Sequence, residues 1–206
     1  MLEWIKDHFS KLHQLQLNAT VTDKHGKIIG LAAGFEHYIK AALATREHHS
    51  KIIFIGNGGS AGIASHLAID HSKNGRLPAM AFSDASAITC LSNDYGYEHV
   101  FAKQIEYHAR RDDLLIAISS SGKSVNILNA VTAAREIGCG VITLAGFDRA
   151  NPLNTLGDVN FYVDSKEYGY VEVAHLALGH SMLDYIIEQQ CQEEISGRQP
   201  LLAAVE

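Results

Sequence analysis

The 206-residue chain is short of several things at once: it has three cysteines, three prolines, one tryptophan, and 17 Lys and Arg against 23 Asp and Glu. The shortage of basic side chains gives a formal net charge of −6, with no long Lys or Arg run. That leaves no electrostatic footprint for sequence-independent binding to DNA or RNA, so nucleic acid is not expected as the ligand. Cys90, Cys139 and Cys191 are odd in number and form no CxxC pair. This usage fits a reducing compartment, and all three are read as core residues. No apolar run approaches the ~20 residues of a membrane span. The first segment, MLEWIKDHFSKLHQLQL, carries charges inside its apolar pattern rather than an uninterrupted signal-peptide core. A cytoplasmic location is expected, with no membrane partner. The near absence of proline and of low-complexity linkers argues for one domain, and a chain of this length buries roughly 70% of its unfolded surface, enough for one core.

Hydrophobic periodicity supplies the architecture. Leu2, Ile5, Phe9, Leu12 and Leu15 recur at helical spacing, and a second one-faced helix is predicted over 31–46 after a polar break at 18–27. Residues 1–48 thus form a helical front end. From Lys51 the pattern becomes short apolar runs alternating with helical segments: strands at 52–55, 114–118 and 141–145, a short apolar stretch at 78–82, and an alternating strand at 160–163. Helices are expected at 60–73, 87–91, 98–108, 125–137 and 171–190, and a loosely ordered tail at 194–206. Strands alternating with helices imply βαβ crossovers: an α/β, three-layer sandwich with a mostly parallel sheet flanked by helices.

Two strand ends carry the chemistry. The first runs through Gly56-Asn57-Gly58-Gly59-Ser60 into a helix, so backbone N–H groups point at whatever sits above the strand end, and an anion is favoured there. The spacing is neither GxGxxG nor a P-loop, which argues against a dinucleotide or nucleoside triphosphate. A tight turn without a ligand explains this loop equally well by itself. The second runs through Ser119-Ser120-Ser121-Gly122-Lys123-Ser124 into the next helix. Four hydroxyls and a cation at a helix N-terminus make a phosphate cradle, although Ser124 also suits an N-cap. His66 and Asp70 share a helix face at i,i+4, as a metal pair, an acid/base pair or a surface hydrogen-bonded pair. The last helix holds Glu172, His175 and His180 among apolar residues; His175 reads equally as a core histidine bonded to a carbonyl. Asn93-Asp94-Tyr95-Gly96-Tyr97 has turn composition.

Taken together and in this order, GNGGS, SNDYGYE and SSSGKS resemble the sugar-isomerase (SIS) fold, and specifically the phosphoheptose isomerases, over nearly the whole chain. The resemblance implies that Asn57, Gly58, Gly59 and Ser60 line the sugar and that Ser119, Ser120, Ser121 and Ser124 hold the phosphate. It also implies that Asn93 and Asp94 approach sugar hydroxyls. His66 and His180 match the family histidines that bind a divalent metal, usually zinc, which makes His66, Asp70, Glu172 and His180 the implied ligand set, with Glu172 also facing the substrate. Three positions depart from the family: Asp70 stands for Glu, Glu172 for Gln, and Lys123 for Asn.

The reaction implied is aldose–ketose isomerisation of sedoheptulose 7-phosphate through an enediol, for heptose-containing surface glycans. Asp70 and His180 are the expected proton-transfer pair. A homotetramer is usual in the family. The alternatives are a non-catalytic SIS tetramer that binds a replication initiator protein, and an isomerase of another sugar phosphate.

Overall fold

In the computed structural model, which describes residues 1–195, the elements are α1 (Leu2–Leu17), β1 (Thr20–Asp23), α2 (Leu31–Glu47), β2 (Ile52–Gly56), α3 (Gly59–Lys73), β3 (Ala79–Ala81), α4 (Ala85–Tyr95), α5 (Val100–His108), β4 (Leu114–Ser119), α6 (Val125–Ile137), β5 (Gly140–Ala145), β6 (Val159–Tyr162) and α7 (Tyr168–Ile195). Short 3-10 turns, Tyr97–His99 and Pro152–Thr155, precede α5 and β6. The tail expected from residue 194 lies, beyond Ile195, outside the described residues.

One six-stranded sheet runs in the order β1-β6-β5-β4-β2-β3. All neighbours are parallel except β1, which pairs antiparallel with β6. The apolar runs are buried on both faces, as crossover helices on each side require. Ile52, Phe54, Ile116 and Leu144 point into one layer with Tyr38 of α2, Leu67 of α3 and Met182 of α7. Ile53, Ile55, Leu115 and Val141 point into the other with Leu91 of α4, Ile105 of α5 and Ile127 of α6. Each fully buried Ile or Phe stabilises the fold by roughly 1.5–3 kcal/mol, so the two layers, rather than local propensity, hold the strands in place.

The expected front end needs correction. The polar break holds a strand, β1, so residues 1–48 contribute an edge of the sheet as well as two helices. Its signal is a single alternation: Val21 is fully buried between partly buried Thr20 and Thr22, too little to read as a strand from one apolar residue. β6 is buried at all four positions rather than one-sided. Asn160 tolerates this because its Oδ1 accepts from the Thr143 hydroxyl and from the Gly157 N–H, both at 2.8 Å. Of the cysteines only Cys139 is buried; Cys90 and Cys191 are exposed, on the outer faces of α4 and α7.

Candidate active site

The two loops read from the sequence stand side by side at the carboxyl ends of β2 and β4, which pair in register. They enclose a cavity of about 250 Å³ lined by Asn57, Gly58, Gly59, Ser60, Ser119, Ser120, Ser121, Ser124, Tyr168 and Glu172. Eight of these ten lie in the two motifs, the sequence-expected sugar and phosphate positions.

In the serine loop, Ser119 Oγ accepts from the Gly122 N–H at 3.2 Å, and Ser121 Oγ from the Lys123 N–H at 3.2 Å. Ser124 stands at the N-cap of α6, yet its hydroxyl makes no capping bond, so the capping role considered for it is not played. Ser120 lines the cavity, and its Oγ is buried with no hydrogen-bond partner among the described residues. A buried orphan hydroxyl costs about 1–3 kcal/mol. Lys123 does not line the cavity: its Nζ is paired with Asp148 at 3.1 Å, and both side chains are more than half exposed. The favourable field for an anion therefore comes from the α6 N-terminus and the hydroxyls.

Beneath this loop, fully buried His175 donates from Nε2 to the Ala145 carbonyl at 3.1 Å, since a carbonyl only accepts. Its Nδ1 is then a bare acceptor, and no partner among the described residues reaches it. Burial pushes the imidazole down to about 4, so it stays neutral at neutral pH.

The glycine loop is filled differently. Gly58 adopts φ 55 and ψ −122 as α3 opens, a backbone that side chains resist. At Gly59 any Cβ would collide with the carboxylate of Glu172, which lies against this backbone from α7. Asn57 is bonded twice to Asn126, Nδ2 to Oδ1 and Oδ1 from Nδ2, both at 2.9 Å, and accepts a third bond from the Tyr97 hydroxyl at 2.8 Å. Tyr168, at the cavity mouth, meets the Phe147 ring edge-on, centroids 4.8 Å apart.

Further along the same two helices, Asp70 Oδ2 lies 3.4 Å from His66 Nε2 and 3.7 Å from His180 Nε2. Asn74 donates to its other oxygen at 3.3 Å. One ligand atom from each of His66, Asp70 and His180 falls within 4.8 Å of the other two, which suits a divalent ion. Two imidazole nitrogens and a carboxylate oxygen are donors that a divalent transition metal takes. Glu172, the fourth ligand of the implied set, is not part of this group among the described residues; it faces the cavity instead. α3 is held in register by buried His71: Nδ1 donates to the Leu67 carbonyl at 2.7 Å, which leaves Nε2 to accept from the Tyr38 hydroxyl at 2.6 Å.

This arrangement, paired strand-end loops around a polar cavity with a His/Asp/His group beside it, has relatives. The SIS domain family model matches residues 21–146, from inside β1 to just past β5. The chain belongs to the SIS domain family. The phosphoheptose isomerase of Aliarcobacter butzleri is 39% identical over 153 residues, 71% of this chain and 80% of that protein. That of Rhodospirillum rubrum is 37% identical over 147 residues, 68% of this chain and 78% of that protein. Among solved structures, phosphoheptose isomerase GmhA from Neisseria gonorrhoeae superposes with a TM-score of 0.76 at 32% identity, covering 90% of this chain and 98% of that one. In this SIS domain, Glu172, His175 and His180 lie beyond the segment the family model matches.

Two of the residues expected at the sugar lie off the cavity. Asn93 and Asp94 sit exposed in the last turn of α4, bonded to each other at 2.9 Å, and do not line the cavity. Their motif takes part through Tyr97, beyond the turn at Gly96, where φ is 86. The sequence motifs assign no role to Tyr97, Asn126 or Tyr168. Asn126 is two residues past the serine loop and could have been flagged as a buried amide in a helix's first turn. Tyr168 had no signal.

Proposed function

We propose that this SIS domain interconverts sedoheptulose 7-phosphate and an aldoheptose 7-phosphate, in the cytoplasm, for heptose-containing glycans. The observation that carries the reading is the polar cavity lined by Ser119, Ser120, Ser121 and Ser124, in a four-serine loop that opens α6. A phosphate there would take hydrogen bonds from these hydroxyls and from the N–H groups of the helix end, and charge-assisted bonds of this kind are among the stronger ones.

The His66–Asp70–His180 group lies further along α3 and α7 from Gly59 and Glu172, and with the phosphate on the serine loop the carbonyl end of the sugar would be directed toward it. The phosphate then provides the remote binding energy that positions C1 and C2 for proton transfer.

In this reading His180, partly exposed at its group, would exchange a proton with the sugar oxygens, and Asp70 would orient it or take the proton from carbon. A zinc ion held by His66, Asp70 and His180 would polarise the sugar oxygens and lower the cost of the enediolate. We also propose a homotetramer: α1 buries no side chain, Leu2 and Phe9 are 63% exposed, and an apolar groove of about 510 Å³ runs beside Leu31, Phe35 and Ile39. Such surfaces call for cover by another copy.

The test is turnover by the His180→Ala variant, with retained sugar phosphate binding as the control. A loss of at least about 10²-fold with binding intact supports the assignment, the range expected for a group that moves a proton. Unchanged turnover would remove His180 from the chemistry.

A further inference from the structure

Asn57 lines the cavity, and its carboxamide is almost fully engaged inside the protein. An amide oxygen offers two lone pairs and an amide nitrogen two hydrogens. Here Oδ1 accepts from Asn126 Nδ2 at 2.9 Å and from the Tyr97 hydroxyl at 2.8 Å, which uses both lone pairs. Nδ2 gives one hydrogen to Asn126 Oδ1 at 2.9 Å, which leaves one.

We infer that Asn126 and Tyr97 are positioning residues that clamp Asn57, so that it presents a single N–H donor, and no acceptor, to the substrate. The inference rests on the sugar phosphate reading of the cavity and adds a recognition rule to it. The group met at Asn57 is an oxygen offering a lone pair, a carbonyl or hydroxyl oxygen, and not a hydroxyl presenting its proton.

The clamp also sets distance. Asn126 is 3% exposed and lies in the first turn of α6, directly after the serine loop; Asn57 follows β2. A reciprocal amide pair is planar and has little freedom, so it fixes the N–H of Asn57 relative to the hydroxyls of Ser119, Ser120 and Ser124. Tyr97 closes the third side from the turn before α5, although its own side chain is half exposed, 52%. A donor held at a fixed offset from a phosphate seat reads one oxygen along the sugar and disfavours chains whose oxygens fall out of step. An amide free to rotate could serve as donor or acceptor and would discriminate less.

The experiment is calorimetric binding of sedoheptulose 7-phosphate and, separately, inorganic phosphate to the full-length wild type and to Tyr97→Phe, Asn126→Ala, Asn57→Ala and the Asn57→Ala/Asn126→Ala double variant. Tyr97→Phe removes one oxygen from an exposed ring and keeps the fold within reach even if Asn126→Ala does not. It is expected to weaken sugar phosphate binding about three- to tenfold and leave inorganic phosphate unchanged, as loss of one neutral hydrogen bond implies. Asn126→Ala should weaken it further, and the double variant should bind no more weakly than Asn57→Ala alone, because Asn126 acts only through Asn57. In kinetics the same variants should raise KM for the sugar phosphate more than they lower kcat.

Equal sugar phosphate affinity in wild type and Tyr97→Phe overturns the clamp. So does an additive double variant, or a matching loss of inorganic phosphate, which would mean general damage to the loops. Because the readout is binding, a wild type that binds the sugar phosphate without isomerising it counts against the proposed reaction alone.

Discussion

The loops after β2 and β4 share a backbone plan and differ in what fills it. Each leaves a parallel strand and opens a helix whose free N–H groups favour an anion. At α3 the protein supplies its own: the Glu172 carboxylate lies against Gly59, and Asn57 is tied to Asn126 and Tyr97. At α6 it supplies none among the described residues. Lys123 is turned to Asp148, the Ser124 hydroxyl caps nothing, and Ser120 Oγ has no partner. Two equivalent helix ends facing one cavity are thus made unequal by side chains, one closed with a resident carboxylate and one left for the ligand. Under the proposed function, the difference would orient a sugar phosphate with its phosphate on serine and its sugar toward Asn57.

The largest expected effect concerns the floor of the open loop. His175 has its pKa lowered from 6.5 to about 4, so the unfolded chain takes up its proton first as pH falls. Its contribution to stability is intact above pH 6.5 and is lost between 6.5 and about 4, by roughly 3 kcal/mol in all. Urea unfolding across that window should show a shallower pH dependence in His175→Gln than in the wild type; identical slopes would mean that His175 is not the group that titrates.

Next comes Ser120→Ala, which deletes the orphan hydroxyl. Inorganic phosphate affinity should fall about tenfold or more, as loss of a hydrogen bond to a charged group implies, while the stability of the free protein stays level or rises. Loss of stability without loss of affinity would reverse the contrast between the loops. Gly59→Ala probes the closed loop, where a Cβ must displace Glu172, at about 1–3 kcal/mol. The Glu172→Ala variant in the same chain should recover much of that in thermal unfolding, and no recovery would place the strain elsewhere. Smallest is Glu172→Gln, which removes the carboxylate from the α3 N-terminus for about 0.3–1 kcal/mol, less at high salt. A gain in stability would show that Glu172 is not favoured by the helix end.

The parallel sheet was legible because strands buried on both faces write themselves as unbroken runs, as in Ile52 to Ile55. β1 was not, since an edge strand with one buried residue has almost no period to read. Cys90 and Cys191 show the limit of residue type as a guide to burial: helices α4 and α7 simply turn those positions outward. In the site, the residues carried by the motifs line the cavity because a loop motif and its location are the same information. Asn93 and Asp94 do not line it, because α4 runs through them and delivers Tyr97 instead. The division of labour between Glu172 at the cavity and His180 in the His/Asp/His group depends on two helices packing side by side, which spacing along either one does not encode.

The most direct measurement is NMR of the metal-supplemented full-length chain with sedoheptulose 7-phosphate and, in parallel, with sedoheptulose lacking the phosphate. Aldoheptose 7-phosphate is expected to accumulate from the first and no product from the second, because the serine loop supplies the binding that positions the carbonyl end. Equal conversion of both sugars, or none of either, would contradict it.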